Sequence, residues 1–379
     1  YPYNVEDKYY RLYKDQVPDQ RARFYGMITN IDENFGRLLD RLTELELLDN
    51  TIVIFMTDNG TAAGADIDEQ GFVLDGYNAG LRGIKNTPYD GGHLVPFFMS
   101  WPAGNLDSGI DIDELTANID FMPTLLDLCG IPVDESRCFH GKSLRPLIYG
   151  GGEVWQPRTI VTDSQRIAFP IKWRQSAVMT NRWRLINGEH LNDMHADRGQ
   201  TRIVTEQYPD VVASLRAQYE QWWDLVSTQF HEEIPFTVGN DHQPIVSLNC
   251  HDWRNEDCAV PHQQGEIRRG AAGNGYWEIE AEREGTYRIE LRRWPYEAAL
   301  PITGGINGDD IEWRKEWIQE KDWYYYTGGR AIPIKQAKLR IGGRTYEQVV
   351  EAGQQEVIFT VQLPAGPAHL RAWFTDEAG

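Results

Sequence analysis

Residues 51–60 read Thr-Ile-Val-Ile-Phe-Met-Thr-Asp-Asn-Gly, and this stretch decides the fold class. Thr51–Thr57 is a continuous apolar run rich in β-branched residues, which is typical of a strand buried on both faces in a parallel sheet. The run ends in Asp58-Asn59-Gly60. Ligands of α/β folds bind at the carboxyl ends of such strands, so this polar end is a candidate site.

A long amphipathic helix is predicted before this strand. Asp19 can cap it, and apolar residues then recur at spacings of three and four, which predicts one buried face. These residues are Phe24, Met27, Ile28, Ile31, Phe35, Leu38, Leu39, Leu42 and Leu45. A long loop at 61–92, a strand at 95–101 and a short helix at 117–129 follow. Residues 1–154 therefore read as part of an α/β core, with too few strands to cover their own long helix.

The rest of the chain divides into three further regions. Residues 155–230 carry four short strand patterns, a hairpin signal at Asn187-Gly188 and a helix that opens at Pro209, which predicts a small α+β subdomain with an antiparallel sheet. Residues 231–275 read as an irregular connector. Residues 276–379 alternate between short strand patterns and Gly or Pro clusters, which predicts an all-β sandwich.

The composition excludes several classes of protein. The 379 residues contain 37 Lys and Arg against 57 Asp and Glu, a formal charge of −20. Because such an acidic surface repels polyphosphate, we expect no nucleic-acid partner. No apolar run approaches the ~18 to 20 residues of a membrane span, so we expect no membrane partner. The four cysteines form two close pairs, Cys129/Cys138 and Cys250/Cys258, which fit short-loop disulfides and free thiols equally well.

Two segments carry candidate chemistry. Asp58 and Asn59 offer the oxygen ligands that suit Ca²⁺ or Mg²⁺, although the same residues are common turn formers. Residues 80–93 (GLRGIKNTPYDGGH) gather two cations and four glycines. Lys85 would suit a tetrahedral oxyanion, and Asp90 is expected to pair with a basic neighbour and fix the loop. The alternative is an exposed glycine-rich loop with solvated charges.

Together these segments resemble the sulfatase family of the alkaline-phosphatase superfamily, from residue 1 to about residue 226. The matching motifs are NIDEN (30–34), GRLL (36–39), DNTIV (49–53), TDNG (57–60), LRGIKNTPYDGG (81–92), PTLLD (123–127), GKSL (141–144), RWRLI (182–186) and WW (222–223). The resemblance implies a sulfuric ester hydrolase acting on an aryl or carbohydrate sulfate. It also implies a periplasmic or secreted location.

The resemblance implies roles for individual residues. Asp58 and Asn59 match the paired ligands of the family's active-site Ca²⁺, with Mg²⁺ as the alternative cation. Phosphatases and phosphonate hydrolases of the superfamily typically carry Asp-His-Gly here, and a carboxamide oxygen suits Ca²⁺ better than a transition metal. Lys85 matches the catalytic lysine that holds the substrate sulfate.

Three more residues of the glycine-rich loop are assigned to the site by this resemblance. Arg82 and His93 are expected near the substrate, where His93 occupies a position that varies in the family. Asp90 stands where Glu is common, and it is expected to support the site from behind the residues that contact the substrate. Arg82 is an alternative candidate for that supporting role.

The family's nucleophile is absent from this sequence. It is a formylglycine made within a Cys/Ser-x-Pro/Ala-x-Arg motif, and none of the four Cys contexts or the Ser contexts fits. We therefore interpret the chain as the C-terminal portion of a sulfatase and expect the formylglycine upstream, on a complementary N-terminal chain or segment. The resemblance implies attack of the hydrated formylglycine on sulfur while Ca²⁺ and Lys85 neutralise the sulfate oxygens.

The C-terminal region resembles, more weakly, an accessory module of bacterial sulfatases. Its motifs are CHDW (250–253), GYW (275–277) and ELRRWP (290–295). His251, Asp252 and Trp253 fit either a ligand site or an interdomain brace. A cluster of aromatic residues fits either a sugar-stacking platform for a sulfated glycan or packing of the sandwich. It consists of Trp313, Trp317, Trp323, Tyr324, Tyr325 and Tyr326.

Two alternative functions stay open at this point. One is a phosphoesterase of the same superfamily, against which Asn59 argues. The other is a non-catalytic fragment that binds sulfated glycans. For the sulfatase and for the glycan-binding fragment, the predicted partner is a sulfated small molecule or glycan.

Overall fold

The computed structural model describes residues 3–106, 109–134, 136–150, 155–165, 167, 170–232, 234–255, 264–307 and 328–377. The chain forms two units, Val5–Phe230 and, with the first four residues, His231–Gly379. The four-part division drawn from the sequence stays a prediction. In the part of the chain that the structure describes, no helix is both long and apolar enough to cross a membrane.

The first unit mixes helices and strands. Its helices are α1 (Asp7–Tyr10), α2 (Asp19–Glu44), α3 (Asp90–His93), α4 (Phe121–Leu128), α5 (Arg145–Tyr149) and α6 (Pro209–Val226). Its strands are β1 (Val53–Met56), β2 (Ala65–Ile67), β3 (Val73–Gly76), β4 (Phe97–Ser100), β5 (Ile160–Asp163), β6 (Ser176–Met179), β7 (Trp183–Ile186) and β8 (His190–Asp193).

The two strands of the α/β region pair in the direction opposite to the prediction. β1 is antiparallel to β4, with Val53 opposite Ser100 and Met56 opposite Phe97. β1 is half-buried along its length rather than buried on both faces. The predicted parallel, doubly covered strand is therefore wrong. An apolar run does not specify the direction of pairing, and among the described strands no third one joins this pair.

The predicted helix α2 is confirmed, but Asp19 is its first residue while Pro18 occupies the N-cap position, and most of its apolar face is not buried. Its buried residues are Arg21, Ala22, Arg23 and Gly26. Ile28 is 49% exposed, Ile31 55% and Leu38 52%. The predicted buried face is thus wrong for these residues, whereas the expectation that this region cannot cover its own helix is confirmed. The physical reason is the narrow β1–β4 ribbon, which offers little surface for packing.

The long loop after β1 contains a hairpin that the sequence analysis did not predict. β2 and β3 are antiparallel, and Arg21 of α2 donates hydrogen bonds to Asp75 (2.6 Å) and Asp66 (2.7 Å). Because Arg21 is buried and bridges both strands, it fixes the hairpin to the helix. These contacts hold the pKa of Asp75 below its ordinary value.

A four-stranded antiparallel sheet in the order β5-β6-β7-β8 follows, with α6 packed against it. Its core contains Val178, Leu185, Leu191, Leu215 and Tyr219. The hairpin predicted at Asn187-Gly188 is confirmed, since both residues adopt positive φ angles of 51° and 72°, as a type I′ turn requires. The connection has three residues, because Ile186 pairs with His190. The helix predicted from Pro209 is confirmed as α6.

The second unit is dominated by β-strands. Its elements are β9 (Phe236–Val238), α7 (Gln264–Arg269), β10 (Trp277–Ala281), β11 (Gly285–Leu291), β12 (Gln336–Ile341), β13 (Arg344–Val349), β14 (Val357–Leu363) and β15 (Gly366–Thr375). A five-stranded sheet in the order β13-β12-β15-β10-β9 and a two-stranded sheet of β11 and β14 share one hydrophobic core. β14 alternates strictly between buried and exposed residues, as expected for a strand with one face on this core.

Some sequence predictions fall outside the described residues. They concern the aromatic platform at 313–326 and one member of the second cysteine pair, Cys258. Cys129 and Cys138 are exposed free thiols, so the structure favours the reading in which this first pair is not a disulfide.

Replacing two glycines of α2 by alanine should change the stability of the protein in opposite directions. A Cβ on Gly36 would meet no atom within 4 Å, whereas one on Gly26 would lie 3.1 Å from the Val5 side chain and 3.2 Å from the Tyr10 nitrogen. Alanine is favoured over glycine inside a helix by about 0.5–1 kcal/mol. Gly36→Ala should therefore raise the unfolding temperature, measured by scanning calorimetry, and Gly26→Ala should lower it. Equal shifts for the two variants would contradict this packing of α2.

Candidate functional site

The segment after β1 presents its polar groups to solvent. The Thr57 hydroxyl donates to the Asn59 carbonyl (3.1 Å), and the Asn59 amide nitrogen donates to the Gly60 carbonyl (2.9 Å). The Asn59 carboxamide oxygen is left open by this arrangement. The Asp58 carboxylate is exposed and makes no hydrogen bond or ion pair with a described residue. Two neighbouring oxygen donors are thus available at the end of the strand.

Backbone hydrogen bonds join this segment to the glycine-rich loop. The Gly60 N–H donates to the Gly92 carbonyl (2.9 Å), and the Lys85 N–H donates to the Thr61 carbonyl (2.9 Å). A Cβ on Gly60 would overlap the Gly91 carbonyl oxygen, so only glycine permits this approach. The contacts bring Asp58-Asn59 and Lys85, which lie 26 residues apart in the sequence, into one part of the fold.

The Lys85 side chain is exposed and makes no ion pair or hydrogen bond with any residue that the structure describes. Its backbone, by contrast, is held in a turn. The Thr87 N–H and the Thr87 hydroxyl both donate to the Ile84 carbonyl, at 3.0 Å and 2.8 Å. Asn86 adopts a positive φ of 71°, a conformation that Asn tolerates better than most residues. The loop therefore fixes the start of the lysine side chain and leaves its ammonium group free.

Asp90 is the buried anchor of the loop. Its side chain is 2% exposed, and it accepts hydrogen bonds from Arg184 of β7 at 2.9 Å and 3.3 Å. The Asp90 N–H donates to the Gln200 side-chain oxygen (2.9 Å). The prediction that Asp90 pairs with a basic neighbour and fixes the loop is confirmed. A buried charge pair of this kind needs both partners, because removing one leaves the other uncompensated.

His93 sits at the end of α3, three residues after Asp90. Its Nε2 lies 3.2 Å from the Pro88 carbonyl oxygen and 4.0 Å from the Asp90 carboxylate. Because a carbonyl can only accept, Nε2 carries the proton in this contact. Burial lowers the pKa of His93 below its ordinary value, an effect that nearby Asp90 and the Pro88 carbonyl only partly oppose. The ring is therefore neutral at neutral pH, with Nδ1 as its available acceptor.

Arg82 is held by backbone carbonyls and aromatic rings. Its guanidinium donates to the carbonyls of Gln70 (2.8 Å) and Gln200 (3.0 Å). It also lies 3.9 Å from the Tyr89 ring centroid and 4.4 Å from that of Phe72. These contacts fit a residue that positions the loop, which was one of the two roles considered for it.

Arg184 and Gln200 were given no role from the sequence, but both hold Asp90 in place through hydrogen bonds. Arg184 is buried in a strand whose other members are Trp183, Leu185 and Ile186. A charged residue inside such an apolar strand requires a buried carboxylate nearby, and this signal was readable from the sequence. Gln200 is fully buried and was not distinguishable by its sequence context.

The donor set at Asp58 and Asn59 fits a hard cation only in part. A carboxylate and a carboxamide oxygen are suitable ligands, but Ca²⁺ takes six to eight oxygens. Among the described residues, no group of three or more His, Cys, Asp or Glu is arranged to hold a metal ion. The chain therefore offers two ligands of the right chemistry, and a complete coordination shell would need others.

Comparisons with known proteins find sulfatase-like sequence in the region that contains the candidate site. The family model for sulfatases matches residues 1–131, and the model described as N-sulphoglucosamine sulphohydrolase, C-terminal, matches residues 85–222. Each model matches about a third of the chain, and together the two matches extend over residues 1–222, which include the whole candidate site. The sulfatase-like motifs quoted for residues 1–226 lie within this range or at its end, whereas the motifs of the C-terminal region lie outside it.

Individual relatives match over shorter stretches. Human steryl-sulfatase is 33% identical over 138 residues, covering 36% of this chain and 23% of the relative. The arylsulfatase of Clostridium perfringens is 37% identical over 146 residues, covering 38% of this chain and 27% of the relative. The crystal structure of Ps i-CgsB aligns with a TM-score of 0.49 at 21% identity, covering 59% of this chain and 47% of that one. The matched stretches make up about a quarter of the length of the two curated relatives.

Substitutions in the Asp90–Arg184 pair should destabilise the protein much more than a substitution of Asp58. Removing one partner of a buried pair costs about 3–5 kcal/mol, so Asp90→Asn and Arg184→Met should each strongly lower the free energy of unfolding. Asp58→Asn removes the same charge from an exposed position, where changes stay within about 0.5 kcal/mol. Urea denaturation followed by tryptophan fluorescence measures all three variants. Equal losses for Asp90→Asn and Asp58→Asn would contradict the assigned contacts.

Proposed function

We propose that this chain forms the sulfate-binding part of a sulfate-ester hydrolase whose nucleophile lies on a complementary N-terminal segment. The observation that carries the proposal is the exposed Lys85 ammonium, which has no partner among the described residues although its backbone is fixed beside Asp58-Asn59. The matches to two sulfatase family models over residues 1–131 and 85–222 support the reaction class.

Lys85 would contact the sulfate oxygens of the substrate. A fixed cation placed where negative charge develops stabilises a transition state more than it stabilises the ground state. The lysine needs no rearrangement to do this, since no described carboxylate competes for it. In a chain with a formal charge of −20, such a cation also offsets the general repulsion of an anionic substrate.

Asp58 and Asn59 would hold the cation. Their open oxygens suit Ca²⁺, with Mg²⁺ as the alternative, and further ligands would come from the complementary segment. When bound, the cation would neutralise charge on the sulfate oxygens, and the formylglycine expected on that segment would supply the nucleophilic oxygen.

The remaining loop residues would position Lys85 and shape its surroundings. Arg82 ties the loop to the Gln70 and Gln200 carbonyls, and Asp90 anchors it to β7. His93, neutral and oriented by Pro88, presents Nδ1 as a hydrogen-bond acceptor, which would suit a hydroxyl of the substrate better than its sulfate.

A complementary segment is supported by the exposed apolar surface of the first unit. Ile28, Ile31 and Leu38 of α2 and Phe98 of β4 are each about half exposed or more. Side chains of this kind are normally covered in a core, and burying a Leu or Ile side chain contributes about 1.5–3 kcal/mol. We propose that the segment carrying the nucleophile packs on this surface.

Two observations weigh on the alternatives. The carboxamide of Asn59 favours a sulfate-ester hydrolase over a phosphoesterase with two transition metals. The two sulfatase models, which match residues 1–131 and 85–222, favour a catalytic protein over a fragment that only binds glycans. The substrate would be an aryl or carbohydrate sulfate. A periplasmic or secreted location remains part of the proposal, without support from a Cys129–Cys138 disulfide.

Replacement of Lys85 tests the proposal in the complete protein that contains this chain. Losing one preorganised group that stabilises a developing anion costs about 10²–10³ in kcat, so Lys85→Ala should slow sulfate release from 4-nitrophenyl sulfate by about that factor. Lys14→Ala is the matched control, because Lys14 is exposed and lies outside the candidate site. It should retain full activity.

The two lysine variants should unfold at the same temperature. Unchanged sulfate release in Lys85→Ala, or equal losses in both variants, would contradict the role given to Lys85. Faster release of phosphate than of sulfate from the corresponding 4-nitrophenyl esters would favour the phosphoesterase alternative.

A further inference from the structure

The second unit contains a cavity of about 650 Å³ at one end of its five-stranded sheet. It lies where β12 turns into β13 and where β15 begins, and all its lining residues belong to this unit. The residues that matter for recognition are Arg340, Arg371, His369, Tyr276 and Asn255. A Cβ on either glycine of the turn, Gly342 or Gly343, would meet no atom within 4 Å, so this wall is open.

Two arginines face each other across the sheet at this cavity. Arg340 of β12 is directly opposite Arg371 of β15 in the antiparallel register. Like charges at directly opposed positions destabilise a sheet. Neither guanidinium makes a hydrogen bond or ion pair with a residue that the structure describes, although Arg371 lies 5.9 Å from the Tyr276 ring centroid.

Two cations near the arginine pair are neutralised by carboxylates. Lys338, two residues before Arg340, lies 3.4 Å from the Glu347 carboxylate. Arg254, next to the cavity residue Asn255, lies 3.2 Å from Glu278. An adjacent pair of uncompensated arginines therefore points to an external anion that supplies the missing charge.

A stacked aromatic pair adjoins the two arginines. The Tyr276 ring and the His369 imidazole have centroids 4.7 Å apart and planes inclined by 27°, so each ring covers one face of the other. The outer face of the exposed His369 imidazole can pack against the apolar face of a sugar ring. Arginine forks bind sulfate and carboxylate oxygens with two parallel hydrogen bonds. The cavity thus combines an anion-binding pair with a stacking surface.

We propose that this cavity binds a sulfated saccharide, with the sulfate on Arg340 and Arg371 and the sugar ring against His369. The choice of sulfate over other anionic groups rests on the proposed function of the first unit. The site itself is separate from Lys85, because it is built entirely from residues of the second unit. Its role would be to retain a sulfated polymer near the hydrolase.

Titration calorimetry at 150 mM NaCl tests this site in the whole chain. The probes are tetrasaccharides of chondroitin sulfate and κ-carrageenan, their desulfated forms, and sodium sulfate. The wild type should bind at least one sulfated probe and should bind its desulfated form at least tenfold more weakly. Arg340→Gln and Arg371→Gln should each weaken that binding at least tenfold.

Arg344→Gln is the matched control, since it removes the same charge from an exposed residue of the adjoining strand that does not line the cavity. It should bind like the wild type. Arg340→Gln should unfold at a temperature no lower than the wild type, because it relieves the repulsion from Arg371. A lower unfolding temperature would mean that the arginines serve the fold, and it would overturn the proposal.

Lys85→Ala separates this proposal from the proposed function. It should leave unchanged the component of the calorimetric binding that Arg340→Gln and Arg371→Gln weaken. Loss of binding in Lys85→Ala but not in the cavity variants would assign the saccharide to the candidate hydrolase site and overturn the second site. Equal affinity for sodium sulfate and the sulfated probes would overturn saccharide recognition, as would the absence of binding to every sulfated probe or an equal loss in Arg344→Gln.

Discussion

The buried ion pair between Asp90 and Arg184 is the contact on which the candidate site depends. It fastens the glycine-rich loop to the four-stranded sheet, and Gln200 reinforces it by accepting the Asp90 N–H. Because Asp90 is held, the glycines that follow it lie close enough for Gly92 to accept a hydrogen bond from Gly60. The position of Asp58-Asn59 relative to Lys85 therefore depends on a buried charge pair that acts through the backbone of the loop.

The charged residues of the candidate site divide into two groups by their contacts. Arg82 and Asp90 are engaged by carbonyls, rings or an opposite charge, so they maintain the loop. Lys85 and Asp58 are exposed and have no described partner, so they are available to ligands. Arg340 and the half-buried Arg371 of the second unit also make no hydrogen bond or ion pair with a described residue.

The sequence predicted local structure well wherever a local signal decided it. α6 and the Asn187-Gly188 hairpin follow from a proline, an apolar stripe and a turn that needs two positive φ angles. The direction of β1 was predicted wrongly, because pairing depends on β4 about forty residues away in the chain. The short β2–β3 hairpin was missed, since Arg21 of a distant helix stabilises it. Asp90 was expected to have a basic partner, but only the fold identifies it as Arg184.

The apolar face of α2 links the fold to the central claim that this chain is one part of a hydrolase. The most direct measurement is intact mass and N-terminal sequencing of whichever fraction of the natural protein releases sulfate from an aryl sulfate. We predict that the active fraction contains, besides these residues, a segment with a Cys/Ser-x-Pro/Ala-x-Arg motif. Sulfate release by a 43.6 kDa species consisting of these 379 residues alone would contradict it.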